Sequence, residues 1–357
     1  MAGRRTGSAS LPLHGGKAPS WLFGRMVRLS RAILGHMVSE HRPDEVLRRL
    51  SDPFWFQALG CALGFDWHSS GVTTTTCGAL KEAVRGQEAE FGLWIAGGKG
   101  KTSRRTPLEI AAACEATGGD GDALARASRL AAKVDNTAVQ SGHQLYHHSF
   151  FLTETGGWAV VQQGMRDSDR TARRFHWLGE AVDSFVDEPH AAVCADRRGE
   201  EVLNLVAGES AAARDRIAEL ARETRPDQAE RLLELPRRHP LIASADIHPR
   251  HLEKVLVSTY ETPPENFEAL LGVQGLGPKT LRALALVAEL VYDTPASTRD
   301  PARFAFAHGG KDGTPYPVDR ETYDCTIETM EAALGGPEIE RSDRVAALKR
   351  LSRLKGR

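Results

Sequence analysis

The chain has 357 residues, of which 41% are hydrophobic and 26% are charged, and this composition excludes a wholly disordered protein. The length exceeds what one compact core usually supports, so we expect two domains. A formal net charge of −1 and a pI near 6.9 exclude a uniformly basic chain. Any polyanionic partner must therefore be bound by a local cluster of positive charge.

The five cysteines are odd in number and scattered, without a C-x-x-C pair, which excludes a disulfide framework and the usual cysteine spacing of zinc and iron–sulfur sites. We expect reduced and mostly buried thiols. Apolar runs are interrupted well before the roughly 20 residues of a membrane span, and the amino terminus lacks the apolar segment of a secretory signal. We therefore expect a cytoplasmic protein with no membrane contact.

The amino-terminal part alternates helical patterns with hydroxyl-rich and glycine-rich stretches. Hydroxyl residues between Ser69 and Thr76 precede a helix that we expect to begin near Cys77 or Gly78. They would cap the free amides of that helix, and the alternative is an anion or nucleotide site. The basic stretch 96–107 has no apolar period and predicts a surface loop. Other helices are predicted at residues 22–37, 43–50, 108–114 and 123–134.

The strongest strand signal is a β-hairpin, with strands at residues 144–152 and 158–164. Because successive strand side chains alternate between faces, neighbouring His147 and His148 should point apart unless a bulge intervenes. The two predicted faces are Tyr146, His148, Phe150 and Leu152, and Leu145, His147, Ser149 and Phe151.

Histidine and aspartate side chains in this part of the chain are candidates for a metal site, because metal-dependent nucleases use mixed imidazole and carboxylate ligands. Such a nuclease would need Mg²⁺ or Mn²⁺. No spacing among the candidates is diagnostic, and the alternative is a set of hydrogen-bonded histidines in a half-buried sheet. The candidates are Asp66, His68, Asp135, His147, His148 and His176.

The pattern becomes largely helical in the second half of the chain. The predicted fold class is therefore a mixed α+β domain with a β-hairpin core, residues 1–205, followed by a mainly α-helical domain, residues 206–357. Within the second domain, residues 266–290 contain two helical patterns joined by Gly275-Leu276-Gly277. The glycines allow backbone angles closed to other residues, and Leu276 can turn inward to tie the helices together.

The second helix of this pair would begin at Pro278, whose missing amide hydrogen would have had no partner in a first helical turn. A helix start attracts an anion such as a backbone phosphate, and Lys279 adds a full charge. The alternative is a tight helical hairpin with a solvated lysine. The predicted DNA contacts are Gly275, Leu276, Gly277, Lys279 and Thr280.

Basic clusters elsewhere are candidates for an extended phosphate track, although each cluster alone is typical of a solvated surface run. Such a track predicts a steep loss of binding as salt rises. The clusters include Lys99, Lys101, Arg104 and Arg105, then Arg166, Arg170, Arg173 and Arg174, and finally the tail from Lys349 to Arg357.

Six blocks spread along the chain are similar to a family catalogued only as a domain of unknown function, number 763. The resemblance covers essentially the whole chain and implies no established activity. The blocks are RTGSASLPLHGGKAP, GFDWHSSGVTTTTCGALKEA, QLYHHSFF, WAVVQQGM, ARRFHW and GGKDGTPYPVDRETYD.

The string GLGPKT at residues 275–280 matches, position by position, the G-h-G-x-K-T signature of the helix-hairpin-helix motif of DNA-repair proteins. In glycosylases of the endonuclease III type, which this motif resembles, a lysine at this place is a Schiff-base nucleophile and a Val-Asp pair follows at the next helix start. The resemblance implies that Lys279 and Asp319 fill these roles. Their separation is longer than in those enzymes, so it would require an insertion.

We therefore expect a DNA-binding protein that cleaves or processes DNA in repair. One hypothesis is glycosylase or abasic-site lyase chemistry through Lys279 and Asp319, which needs no metal. A second is metal-dependent hydrolysis by the amino-terminal histidine and aspartate cluster. A third is a non-enzymatic module that binds DNA while its first domain recruits a protein partner.

Overall fold

The computed structural model describes residues 20–64, 71–169, 171–195, 201–224, 249–303, 328–335 and 339–355. Within these residues the chain folds as a mixed α+β protein, which confirms the predicted mixed class. No helix in these ranges is both long enough and apolar enough to cross a lipid bilayer.

The strands form a five-stranded antiparallel sheet and a separate two-stranded ladder. Their bounds are β1, Leu93–Lys99; β2, Val139–Gln140; β3, Gln144–Thr153; β4, Trp158–Arg166; β5, Thr171–Leu178; β6, Ala192–Ala195; and β7, Leu203–Asn204. The larger sheet has the order β1-β3-β4-β5-β6, and β2 pairs with β7. The predicted β-hairpin is confirmed as β3 and β4, at the centre of the larger sheet.

Helices cover both faces of the larger sheet, and several begin with proline in the first turn, where its missing amide hydrogen has no cost. Their bounds are α1, Ser20–Glu40; α2, Pro43–Ser51; α3, Pro53–Leu63; α4, Gly71–Val84; α5, Glu88–Phe91; α6, Thr106–Thr117; α7, Gly121–Lys133; α8, Ala211–Glu223; α9, Pro249–Glu261; α10, Phe267–Gly272; α11, Pro278–Tyr292; α12, 328–334; and α13, Arg341–Lys355.

Each face of the larger sheet has its own hydrophobic core, as the alternation of strand side chains requires. The first core lies between the sheet and helices α6 to α11, and Phe150 is one of its sheet residues. The second core lies under α1 to α4 and includes Phe151. The domain division at residue 205 stays a prediction, and Leu203 and Ile217, on either side of it, share the first core.

Helix α4 begins at Gly71, so the prediction of a start near Cys77 or Gly78 is wrong. The threonines form the first turns of the helix instead of capping it, and Thr73 and Thr76 are buried. A threonine hydroxyl can bond a carbonyl one turn earlier, as Thr74 Oγ1 does to Gly71 O at 3.3 Å, which makes these residues compatible with a helix.

The predicted surface loop at residues 96–107 is also wrong, because it contains the end of β1 and a 3₁₀ helix, Gly100–Arg105. Gly97 has a φ of 84°, and a Cβ there would lie 2.3 Å from the carbonyl oxygen of His148. Only glycine lets β1 approach β3 this closely. Since glycines carry no side chains, they also hide the period-two pattern by which a strand is recognised.

A bulge between β3 and β4 changes which face the first residues of β3 occupy. The register shifts between Leu145 and His147, so Tyr146 is the extra residue. Leu145 packs against the first core, and the hydroxyl of Tyr146 accepts a hydrogen bond from Gln163, the partner of His147. The predicted faces of Leu145 and Tyr146 are therefore wrong. His147 and His148 lie beyond the bulge and point apart as predicted.

Candidate nucleic-acid interface

Residues 266–290 fold into α10 and α11, joined by a short turn. Asn266 caps α10 by accepting a hydrogen bond from the amide of Ala269 at 2.9 Å. Both helices bury apolar residues in the first core. They include Phe267, Leu270, Leu271, Leu281, Leu284, Ala285 and Ala288.

The turn requires one glycine rather than two. Gly275 has a φ of 87°, in the left-handed region that favours glycine. Gly277 has a φ of −126°, which other residues adopt freely, and a Cβ there would meet no atom within 4 Å. The prediction that both glycines use restricted angles is therefore wrong for Gly277. Leu276 is 2% exposed, which confirms that it turns inward between the helices.

The first turn of α11 begins beside this glycine turn. Gly277 is the N-cap residue and supplies no side-chain cap, and Pro278 follows it in the first turn as predicted. Lys279 is exposed. Thr280 is only 1% exposed, so its hydroxyl is turned away from the surface on which a ligand would bind.

Hydrogen bonds dock the turn on the end of α7 and on β2 of the two-stranded ladder. The ammonium of Lys133, at the end of α7, donates to the carbonyl of Leu276 at 2.6 Å. The amide of Gln140 donates to the carbonyl of Pro278 at 2.8 Å, and its oxygen accepts from Arg282 Nε at 2.8 Å. Burial lowers the pKa of both Lys133 and Arg282. The carbonyls of the turn are therefore held against α7 and β2 by residues that sequence reasoning did not single out.

Two of the candidate metal ligands, Asp135 and His148, lie on the side of the first core and are linked through Gln162. The amide of Gln162 donates to Asp135, and its oxygen lies 2.7 Å from His148 Nδ1. Because that oxygen can only accept, Nδ1 carries the proton and Nε2 accepts from the hydroxyl of Ser128 at 2.8 Å. Burial lowers the pKa of His148, which favours this neutral form.

Asp135 is the centre of a buried cluster that sequence reasoning missed. It lies on a single π-helical turn, Val134–Ala138, a geometry that is frequent at functional sites. Its carboxylate accepts from Trp177 Nε1 at 2.9 Å and is bound by His190 Nε2, in addition to the amide of Gln162. These three donors offset the desolvation of the carboxylate. His190 lies 55 positions away, and no spacing signal connects it to Asp135.

The other two described candidates, His147 and His176, lie on the side of the second core. His176 Nε2 accepts from Arg174 Nε at 2.8 Å, so its Nδ1 donates to the carbonyl of Leu50 at 2.9 Å. Burial and the charge of Arg174 lower the pKa of His176 well below its ordinary value. His147 Nε2 lies 3.1 Å from Ser149 Oγ, and burial lowers the pKa of His147 to about 3.

The sheet therefore separates the four described candidates into two pairs rather than bringing them to one place. Across the part of the chain that the structure describes, no group of three or more His, Cys, Asp and Glu side chains has the arrangement to hold a metal ion. Asp66, His68 and Asp319 lie outside the described residues.

The predicted phosphate track loses two of its arginines. Arg173 is 1% exposed and forms a buried ion pair with Asp300 at 2.6 Å. Arg174 is equally buried and donates to His176 and to the oxygen of Gln57. Both lie within β5 and are buried, so they are not part of a surface track.

Comparison with known protein families places residues 7–318 on the model of one family, described as Protein of unknown function (DUF763). Neither the comparison with curated proteins nor the comparison with solved structures found a match.

Proposed function

Because the chain belongs to the DUF763 family of proteins of unknown function, its activity has to be inferred from its own residues, and we propose that it binds the phosphate backbone of DNA through the turn between α10 and α11. The observation that carries this proposal is the presence of glycine at position 277, where the backbone does not require it. Its φ is ordinary and no described atom lies within 4 Å of an added Cβ, so neither backbone strain nor a described neighbour requires glycine there. A ligand that approaches the backbone closely would give one.

The charge at this place fits the same ligand. The start of α11 carries the partial positive charge of a helix amino terminus, its N-cap has no side chain, and the exposed Lys279 follows within the first turn. A contact of this kind binds phosphates and does not read bases. We therefore expect binding that is independent of sequence and that weakens steeply as salt rises.

Gly277→Ser tests the proposal because its effects on folding and on binding should differ. Serine is a good N-cap, so the free energy of unfolding should change by only a few tenths of a kcal/mol. The added side chain would occupy the space that the phosphate needs, so the affinity for duplex DNA should fall. Fluorescence anisotropy with two labelled duplexes of unrelated sequence measures this.

The matched control is Gly272→Ser, which lies in the same segment and, like Gly277, has no atom within 4 Å of an added Cβ. It should bind both duplexes as the native protein does. The proposal is wrong if Gly277→Ser binds as tightly as the native protein, or if Gly272→Ser loses as much affinity.

DNA cleavage in repair, through Lys279, is the second candidate function, and the observation that favours it is the exposed amine beside the turn. The amine would add to the C1′ aldehyde of the ring-opened abasic sugar, and the C1′ oxygen would leave as water to form a Schiff base, with Asp319 as the assisting carboxylate. Borohydride trapping on abasic duplex DNA in EDTA should give a covalent adduct with the native protein and none with Lys279→Arg. Cleavage only with Mg²⁺ or Mn²⁺ would favour the histidine and aspartate hypothesis. DNA recovered intact under both conditions would favour a recruitment module.

A further inference from the structure

Helix α7 carries a basic face next to the docked turn. Arg126, Arg129 and Lys133 are spaced three and four residues apart, so they lie along one side of the helix. Leu124 and Leu130 are buried in the first core and hold the helix in place. Arg126 and Arg129 are therefore exposed and Lys133 is half-buried, on a helix whose orientation is fixed by the core.

Both ends of this basic face are attached to the α10–α11 segment. Arg126 forms an ion pair with Glu268 of α10. Lys133 donates to the carbonyl of Leu276 in the turn at 2.6 Å. Arg129 lies between these two attachment points along α7 and is exposed.

The charges on this face are only partly compensated. Glu268 neutralises Arg126, whereas the described residues place no carboxylate within 4 Å of Arg129. The partner of the Lys133 ammonium is a neutral carbonyl rather than an acid. An exposed guanidinium of this kind can bind a phosphate through two parallel N–H donors.

We infer that the basic face of α7 extends the phosphate contact of the turn, with Arg129 binding a second phosphate of the same nucleic-acid backbone. Lys133 holds the turn at the correct distance from α7 and adds positive charge behind it. The ligand is a phosphodiester chain long enough to reach from Lys279 to Arg129. This inference rests on the proposed DNA binding by the turn.

The test is a salt titration of binding to a short fluorescein-labelled duplex, for the native protein, Arg129→Gln, Lys279→Ala and the double variant. The slope of log affinity against log salt is negative. Losing one phosphate contact makes it less steep by about 0.9, and losing two makes it less steep by roughly twice that. The matched control is Arg85→Gln, an exposed arginine in the turn directly after α4. It should keep the native slope, and all variants should keep the native thermal midpoint.

The outcomes separate this inference from the proposed function. A native slope for Arg129→Gln, together with a reduced slope for Lys279→Ala, overturns the role of α7 and leaves DNA binding by the turn intact. Native slopes for both variants overturn both proposals. If Arg85→Gln lowers the slope as much as Arg129→Gln, the effect belongs to net charge and the α7 contact is refuted.

Discussion

Gly275 and Gly277 stand two residues apart in the same turn, yet only Gly275 has a φ that a side chain would strain. Gly275→Ala should lower the free energy of unfolding by about 1–2 kcal/mol, because an L-residue pays that cost in the left-handed region. Urea denaturation of Gly275→Ala beside Gly277→Ser measures the difference. Equal stability of the two variants would contradict the conclusion that only Gly275 has a backbone conformation that requires glycine.

Asp135 provides a second prediction for a single residue. Asp135→Asn replaces an acceptor by a group with two N–H donors, opposite Trp177 and His190, which also donate. The unpaired buried groups should cost about 2–4 kcal/mol of unfolding free energy. Asp183→Asn, an exposed aspartate in the loop before His190, is the control and should unfold at the native urea concentration. A native midpoint for Asp135→Asn would show that the cluster contributes little to stability.

What could be predicted for single residues depended on whether the cause was local. The burial of Leu276 and the separation of His147 from His148 follow from patterns within one segment, and both are confirmed. The partners of Asp135 could not be predicted, because Trp177 and His190 come from distant segments. Whether a glycine has a positive φ is also invisible in sequence, which is why Gly277 was misjudged.

The docking of the turn on α7 and β2 is a property of elements, and Gln140 of β2 makes two of its hydrogen bonds. Gln140→Ala removes the hydrogen bonds to Pro278 and Arg282, worth about 1 kcal/mol each. Amides at the beginning of α11 should then exchange with deuterium roughly fivefold to thirtyfold faster, because that end opens more easily. Hydrogen exchange by mass spectrometry measures this.

The control for this prediction is Gln144→Ala, an exposed glutamine at the beginning of β3 that should leave exchange in α11 unchanged. If Gln140→Ala exchanges like the native protein, then the side chain of Gln140 does not hold the turn. Protection that is lost equally in α9 and α11 would instead indicate that the whole helical part has loosened.

Elements with a full side-chain period were predicted well, and those without one were not. The β3–β4 hairpin and the α10–α11 pair have clear apolar patterns, and the structure contains both pairs of elements. The end of β1 was missed because Gly97 and Gly98 carry no side chains. The start of α4 was missed because threonine favours both caps and helical turns that bond back to earlier carbonyls.

The whole molecule should become less stable as the pH falls, because it buries several neutral histidines. Burial, followed by the charges of Arg173 and Arg166, lowers the pKa of His143 to about 4, and burial also lowers the pKa values of His147, His148 and His176. Below pH 6.5 these histidines take up protons in the unfolded chain but stay neutral in the folded chain. The free energy of unfolding therefore decreases as the pH is lowered. Each such histidine contributes up to about 1.4 kcal/mol per pH unit.

Urea denaturation at a series of pH values between 6.5 and 4 measures this slope. His143→Gln should reduce the slope of unfolding free energy against pH by the contribution of one proton. This change in slope is separate from any change that the substitution causes in stability at neutral pH. Stability that is constant or rises as the pH falls through this window would show that the buried histidines are protonated in the folded protein.

Whole-molecule arrangement was the scale least accessible from the sequence. The first core joins sheet residues such as Phe150 to hairpin residues such as Leu276, and no local pattern indicates which distant elements share a core. The separation of His148 from His176 by the sheet has the same origin. It follows from the pairing register of β3, β4 and β5, which places His148 level with Gln162 and Phe175, and His176 level with Val161.

DNA binding through the α10–α11 turn is tested most directly by a salt titration of the native protein and Gly277→Ser on two duplexes of unrelated sequence. The native protein should bind both duplexes with similar affinity and with a steep negative slope of log affinity against log salt, and Gly277→Ser should bind both more weakly while unfolding at the native urea concentration. The proposal is contradicted if the native protein does not bind DNA at low salt, or if Gly277→Ser binds DNA as tightly as the native protein does.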